Sequence, residues 1–282
     1  MPVAKDGAKI KYGPYSAVAA YGGAAGRVHY ENNAPFGTLT SAVREVEVSM
    51  WGNVAVEEHY ALAHTGAALK GGFSRLEYQM KAAKGASFDD LTAILPAGAT
   101  DVYYRDIIGN ISTSHVRSEL SRTVMEINPR FPMFGGWKTE WYQGYNVAAG
   151  PYLTANDDGS FTLAFDANLP FADLPVRDYA LRVVLPEAAT VVSAEAPFPA
   201  DISTSRRFTY LDGPSFGRPI AVFRAKGTTV SSGAYTGDVK VTFTVPPAAS
   251  MYKPAYLTAA FFAAFLAAIV GSRINLSLSA AK

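Results

Sequence analysis

The chain has 282 residues, 49% hydrophobic and 17% charged, with 25 Lys and Arg against 24 Asp and Glu for a formal net charge of +1. This is too apolar for a disordered chain, falls below the roughly 25% charge of an ordinary soluble domain, and lacks the basic excess of a protein that binds nucleic acid directly. Cys is absent, which excludes disulfides, Cys zinc sites and thiol catalysis but not the secretory pathway, because a large core needs no covalent staples.

In chain order, Met1-Pro-Val-Ala-Lys-Asp-Gly7 has no apolar stretch of the kind a signal peptide needs. Gly22-Gly-Ala-Ala-Gly26 lacks the Lys-Ser/Thr of a phosphate loop and reads as a connector, so residues 1–26 are expected to be a linker. Residues 27–248 read as all-β, in short alternating runs bounded by Gly, Pro or Asn. Val46-Glu-Val-Ser-Met50 breaks at Trp51-Gly52-Asn53 and resumes at Val54-Ala-Val56; Tyr179 to Leu185 ends at Pro186; Val239-Lys-Val-Thr-Phe-Thr-Val245 is the cleanest strand. A weak helical pattern covers residues 73–84 and a weaker one 187–194. Ile94-Leu-Pro-Ala-Gly-Ala-Thr100 is similar to Val184-Leu-Pro-Glu-Ala-Ala-Thr190. Two related β-sandwich units, 27–125 and 126–250, would explain that likeness, and so would chance.

The end of the chain carries the clearest signal. The 19 residues between Lys253 and Arg273 carry no charge. At about 1.5 Å per residue they would extend roughly 28 Å, close to the hydrocarbon thickness of a bilayer. The segment is apolar all round, follows Pro246-Pro247, and has Tyr252 and Tyr256 where interfacial aromatics belong. A transmembrane helix is expected over 254–272, with a short tail at 273–282. A β domain ahead of one span, with no signal peptide, predicts that an upstream part of a longer protein is absent.

Few residues point to chemistry. Gly213-Pro-Ser215-Phe-Gly217 has the spacing of a nucleophile elbow, but His29, His59, His64 and His115 all precede it and no helical pattern follows, so a turn is the better reading. His59 and His64 are five apart, which on a strand puts them on opposite faces and does not match the i, i+4 spacing of a helical zinc pair. Glu57-Glu58 likewise diverge, Asp89-Asp90 offers a similar adjacent pair, and Asp157-Asp158-Gly159 reads as a turn tip. No catalytic residue, metal site or cofactor is expected. Asn110-Ile111-Ser112 is a glycosylation sequon in a loop opened by Gly109, and Asn275-Leu276-Ser277 is a second, just past the apolar segment. The run from Pro129 to Tyr145 packs Phe131, Phe134, Trp137, Trp141, Tyr142 and Tyr145 among Pro and Gly. It is either core packing or an exposed docking surface.

Several long motifs resemble the ribophorin I family. They are Arg27-Val-His-Tyr-Glu-Asn-Asn-Ala-Pro-Phe36, Trp51-Gly-Asn-Val-Ala-Val-Glu-Glu58, His64 to Arg75, Asp101-Val-Tyr-Tyr-Arg-Asp106, Gly109 to His115, Pro129 to Asn146, Tyr210-Leu-Asp212 and Phe216-Gly-Arg-Pro219. The resemblance implies an accessory subunit of the oligosaccharyltransferase complex of the endoplasmic reticulum membrane, which transfers a dolichol-linked glycan to Asn-X-Ser/Thr of nascent chains. It implies a mainly β luminal region, one transmembrane helix, and partners that include the catalytic multispanning subunit, nascent polypeptides, the translocon and ribosome vicinity and membrane lipids. The Trp-Trp-Asp signature of that catalytic subunit does not occur in this sequence. The resemblance implies a first luminal domain and a long cytosolic region that this sequence is expected to lack, so no ribosome contact by the latter carries over. Two other readings compete: a free-standing single-pass adhesion or receptor ectodomain, stable as a monomer, and a membrane-tethered hydrolase using Ser215.

Overall fold

A computed structural model describes residues 3–7, 9–19, 22, 34–80, 86–171, 174–208, 217–227, 229–230, 235 and 237–274. Contacts divide the chain into two compact units, Met1–Asn33 and Ala34–Lys282. The first holds a hairpin of β1 (Val3–Asp6) and β2 (Lys9–Tyr12), with Gly7 at φ +60° supplying the left-handed turn.

The second unit runs β3 (Gly37–Val48), β4 (Asn53–His64), α1 (Arg75–Met80), β5 (Leu91–Pro96), β6 (Thr100–Asp106), β7 (His115–Ser118), β8 (Arg122–Ile127) and β9 (Lys138–Ala148). It continues through β10 (Leu153–Ala155), β11 (Phe161–Asp166), β12 (Pro175–Val176), β13 (Tyr179–Val184), β14 (Thr190–Glu195), β15 (Ala200–Arg207), β16 (Arg218–Ala225), β17 (Thr229–Val230), β18 (Asp238–Thr244) and α2 (Ala249–Arg273). Among the described residues, one large sheet has the order β15-β16-β13-β3-β4-β9-β6, with β12 and β17 beside it. A four-stranded sheet has the order β10-β11-β18-β14 and a three-stranded one β5-β8-β7. Within the large sheet β13 runs parallel to β3, while β3-β4 and β4-β9 are antiparallel.

The alternation in the sequence decides which faces meet. On β3 and β4 the even-numbered side chains Ala42, Val46, Val48, Val54, Val56, Tyr60 and Leu62 are buried. Across from them Leu163 and Phe165 of β11 and Val239, Val241 and Phe243 of β18 join the same core. Each such Val, Leu or Phe stabilises the fold by about 1.5–3 kcal/mol on burial. The three-stranded sheet adds Leu95, Met125 and Ile127, and a bridge from Ala93 to Phe171 ties it in. The result is a sandwich-like β body followed by a single apolar helix, as the sequence implies.

Two expectations need correction. Residue 126 lies inside β8, and the large sheet takes β3, β4 and β6 from before it and β9, β13, β15 and β16 from after it. Strand pairing therefore does not divide the body into two sandwiches there. The likeness between 94–100 and 184–190 is instead a shared turn: Ala99 N–H donates to the Pro96 carbonyl and Ala189 N–H to the Pro186 carbonyl, and the residue before each, Gly98 (φ +75°) and Ala188 (φ +58°), is left-handed. The weak helical pattern at 187–194 is this turn followed by β14, whose register to β18 shifts between Val191 and Ser193; that bulge breaks the period-2 pattern. At 73–84 the structure has α1, started by Ser74 Oγ accepting from Glu77 N–H (3.3 Å), and residues 81–85 lie outside the described ones. Ser215, Asn275 and most of the Gly22–Gly26 connector also lie outside them.

After β18, Pro246-Pro247 separate the sandwich from α2, a 25-residue helix with no burial over its most apolar stretch. It is long and apolar enough to cross a membrane.

Candidate functional site

The aromatic run splits by strand parity. On β9, Trp141, Gln143 and Tyr145 face inward and Tyr142 faces out. Trp141 (4% exposed) packs on Tyr60 and Phe171, with ring centroids 5.2 and 5.9 Å away. Tyr145 is equally buried, and its hydroxyl accepts from Arg44 Nη2 at 3.0 Å. Neither is available to a partner; they serve the core because an inward position on a central strand has no access to solvent. Tyr142 stacks on His59 (5.4 Å) on the outer face and meets Tyr103 edge-on (6.2 Å).

Phe131, Phe134 and Trp137 precede the strand and form a half-exposed cluster. Trp137 touches Phe131, Phe134 and Phe73 at 5.7, 5.4 and 5.7 Å, and Tyr78 of α1 closes it against Phe134 at 5.7 Å. Backbone bonds hold this segment: Gly136 N–H to the His64 carbonyl, His64 N–H to the Trp137 carbonyl, and Leu69 N–H to the Gly135 carbonyl. A Cβ at Gly135 would lie 1.7 Å from the Ala67 carbonyl oxygen, so only glycine allows the two segments to approach this closely. Phe73 and Tyr78 were not in the sequence-predicted set; their signal was the weak helical pattern at 73–84, distant in sequence from the run.

Asn110 lies on an exposed loop. Its Oδ1 accepts from Arg105 Nε at 2.6 Å, and this contact does not use Nδ2, the atom to which a glycan attaches. The loop is fixed by Asp106, whose Oδ1 accepts from the Ile108 and Gly109 N–H groups (2.9 and 3.0 Å) and from Arg130 Nη2 (2.9 Å). The Arg130 hydrogen bond holds the Asp106 carboxyl below its ordinary range.

Among the described residues, the other carboxylates and histidines of the sequence reading are structural or surface groups; His29 lies outside them. Glu57 faces out and accepts from the Tyr103 hydroxyl (2.6 Å), which crosses β9 at Gly144, where a Cβ would overlap it. Glu58 is fully buried. His59 is exposed beside Glu57, whereas His64 is buried and bonded to the Ala86 carbonyl and Gly66 N–H. Asp89 receives Tyr78 and Ser87 hydroxyls, and Asp158 caps the turn at Ser160. Among the described residues no group of three or more His, Asp and Glu could hold a metal ion.

At the centre of the body lies a buried charge that the sequence reading missed. Arg44 Nε stands 3.0 Å from Glu58 Oε1, with side-chain exposures of 5% and 0%. Arg44 also donates to the Asp166 (3.0 Å) and Asn168 carbonyls and lies over the Phe165 ring. Gln143 Nε2 donates to Glu58 Oε2 (2.9 Å), and Trp141 Nε1 to Gln143 Oε1 (3.3 Å). Burial opposes the Arg44 charge, yet Tyr145 and Glu58 keep its pKa above the ordinary value. This network ties β3, β4, β9 and the end of β11 together, and its position inside the core suits a fold determinant and not a reaction centre.

A family profile described as Ribophorin I matches residues 1–272. The chain belongs to the ribophorin I family. It is 38% identical over 279 residues to dolichyl-diphosphooligosaccharide–protein glycosyltransferase subunit 1B of Arabidopsis thaliana, covering 98% of this chain and 59% of that protein. Subunit 1 of Caenorhabditis elegans is 38% identical over 283 residues, covering 99% and 47%. Subunit 1A of Arabidopsis thaliana is 38% identical over 276 residues, covering 97% and 44%. The chain thus spans about half the length of the curated relatives it matches. Among solved structures, an M1 zinc metallopeptidase from Deinococcus radiodurans is similar at 10% identity and a TM-score of 0.42, over 73% of this chain and 42% of that one, a likeness too slight to bear on function.

Proposed function

We propose that this chain is a non-catalytic subunit of the oligosaccharyltransferase complex, supporting transfer of a dolichol-linked glycan to Asn-X-Ser/Thr of nascent proteins in the endoplasmic reticulum. The observation that carries the reading is the 38% identity to subunit 1 proteins across 97–99% of this chain. The β body stands in the lumen, α2 crosses the membrane, and Asn110 carries a glycan. The Phe131, Phe134 and Trp137 cluster, with Phe73 and Tyr78 behind it, docks another subunit, since half-exposed Trp and aromatic groups are the side chains that anchor interfaces. Catalysis belongs to the multispanning partner; the two most buried charged groups among the described residues, Glu58 and Arg44, are committed to one internal network. Cells lacking the chain should show reduced sequon occupancy on a secreted reporter glycoprotein, restored by re-expression. Unchanged occupancy across several reporters would defeat the proposal.

A further inference from the structure

The turn between β3 and β4 carries an apolar tip that the core does not use. Trp51 is 88% exposed and Met50 47%, and no residue from Ser49 to Asn53 is charged. The tip is nonetheless held in one shape. Ser49 N–H donates to the Asn53 carbonyl (2.9 Å), Trp51 N–H to Ser49 Oγ (3.1 Å), and Ala149 N–H to the Gly52 carbonyl (2.9 Å), with Gly52 at φ +84°. A fixed loop that presents a bare Trp leaves in water a large apolar side chain that burial would stabilise.

The position of this tip relative to α2 follows from hydrogen bonds. Buried Arg218 donates from Nη2 to the Val48 carbonyl and from Nε to the Leu185 carbonyl, both at 2.9 Å, and so joins the ends of parallel neighbours β3 and β13. Trp51 lies three residues past Val48; Glu187 lies two past Leu185. Both residues sit in turns at this end of the sheet, within at most about 7 Å (Glu187) and about 11 Å (Trp51) of the carbonyls that Arg218 joins. Glu187 is ion-paired with Lys253 in the early turns of α2, and the 19 uncharged residues begin at the next position. The chain enters α2 from this same end, because Thr190 after the Glu187 turn pairs with Thr244 at the end of β18. Trp51 therefore stands at the same end of the body as the last charge before the apolar span. Membrane–water interfaces favour Trp, its ring against acyl chains and its N–H toward headgroups.

We propose that the Met50–Trp51 tip is an interfacial foot that inserts into the lipid headgroup layer beside α2 and seats the β body endwise on the membrane. This rests on the reading of α2 as a membrane span. The absence of Cys makes the test direct. The full chain is reconstituted in phosphatidylcholine–phosphatidylethanolamine vesicles with a single nitroxide label at Trp51→Cys, at Ile108→Cys or at Ala263→Cys. Ile108, 78% exposed, follows β6 at the opposite end of the sheet, and Ala263 is mid-helix. Collisions with dissolved oxygen and with a water-soluble nickel chelate report depth. The expected order is Ala263 in hydrocarbon, Trp51 at the interface with several-fold fewer nickel collisions than Ile108, and Ile108 in water. Trp51 as accessible to nickel as Ile108, with Ala263 in hydrocarbon, overturns the foot while leaving the span. Trp51 aqueous in vesicles but shielded in the purified native complex also overturns it, assigning the tip to a protein partner. Ala263 in water overturns the span itself.

Discussion

Replacing Glu58 by Leu should be among the most damaging single changes outside the apolar core. Glu58 has no exposed side-chain surface, and its partner Arg44 has 5%. Removing the carboxylate leaves a guanidinium in a low-dielectric core with two backbone carbonyls and the Tyr145 hydroxyl as acceptors but no counter-charge. Breaking one side of a buried pair costs about 3–5 kcal/mol, and Gln143 Nε2 loses its acceptor as well. For a body of this size each kcal/mol moves Tm by about 2–4 °C, so Glu58→Leu should melt roughly 6–20 °C below the parent. The double variant Arg44→Met/Glu58→Leu should recover part of the loss, because the isolated charge is gone; a coupling on the order of 0.5–3 kcal/mol is expected. Calorimetry or near-ultraviolet circular dichroism of the detergent-solubilised chain provides the readout. A Glu58→Leu protein melting within about 2 °C of the parent, or single effects that simply add, would refute the assignment of this pair as the tie between β3 and β4.

Three further outcomes follow from the same geometry. Trp141→Ala should cost about 3–5 kcal/mol as a core truncation, whereas Trp137→Ala should cost about 1–2 kcal/mol from its exposed ring cluster and instead lower recovery of the assembled complex; equal losses of stability would contradict the division of the aromatic run. Ala188→Gly should raise stability by about 1 kcal/mol and Gly98→Ala should lower it by a similar amount, because both positions are left-handed; denaturant unfolding checks the opposite signs. Asn110→Gln should abolish the glycosidase-sensitive mobility shift of the protein expressed in a eukaryotic secretory pathway, and persistence of the full shift would assign the glycan elsewhere.

Much of the fold was legible because it rests on periodicity. The alternation from Val46 ends with β3 at Val48, that from Val239 runs to Thr244 as β18, and the uncharged 254–272 segment lies in α2. Elements whose shape depends on a bulge or a turn were less legible, as at 187–194, where a left-handed Ala and a register shift hide a strand inside a helical composition. Strand pairing between distant segments was not legible at all. The boundary at 126 looked natural along the chain, but β9 returns to pair with β4 and β6. The candidate site was half legible. Composition marked 131–145 as unusual, but parity within β9 separates core Trp141 and Tyr145 from outward Tyr142. The same parity could have exposed the buried pair, since Arg44 shares the even positions of Val46 and Val48, and Glu58 those of Val56 and Tyr60. Two opposite charges on the apolar faces of adjacent strands are a signal for an internal ion pair.

The central claim is membership in a membrane glycosyltransferase assembly. It is tested most directly by purifying the tagged chain from native membranes in mild detergent and identifying its companions by mass spectrometry. The account predicts stoichiometric recovery of a multispanning subunit bearing a Trp-Trp-Asp signature, with glycan-transfer activity in the eluate. Recovery of the chain alone, as an inactive monomer, would contradict it.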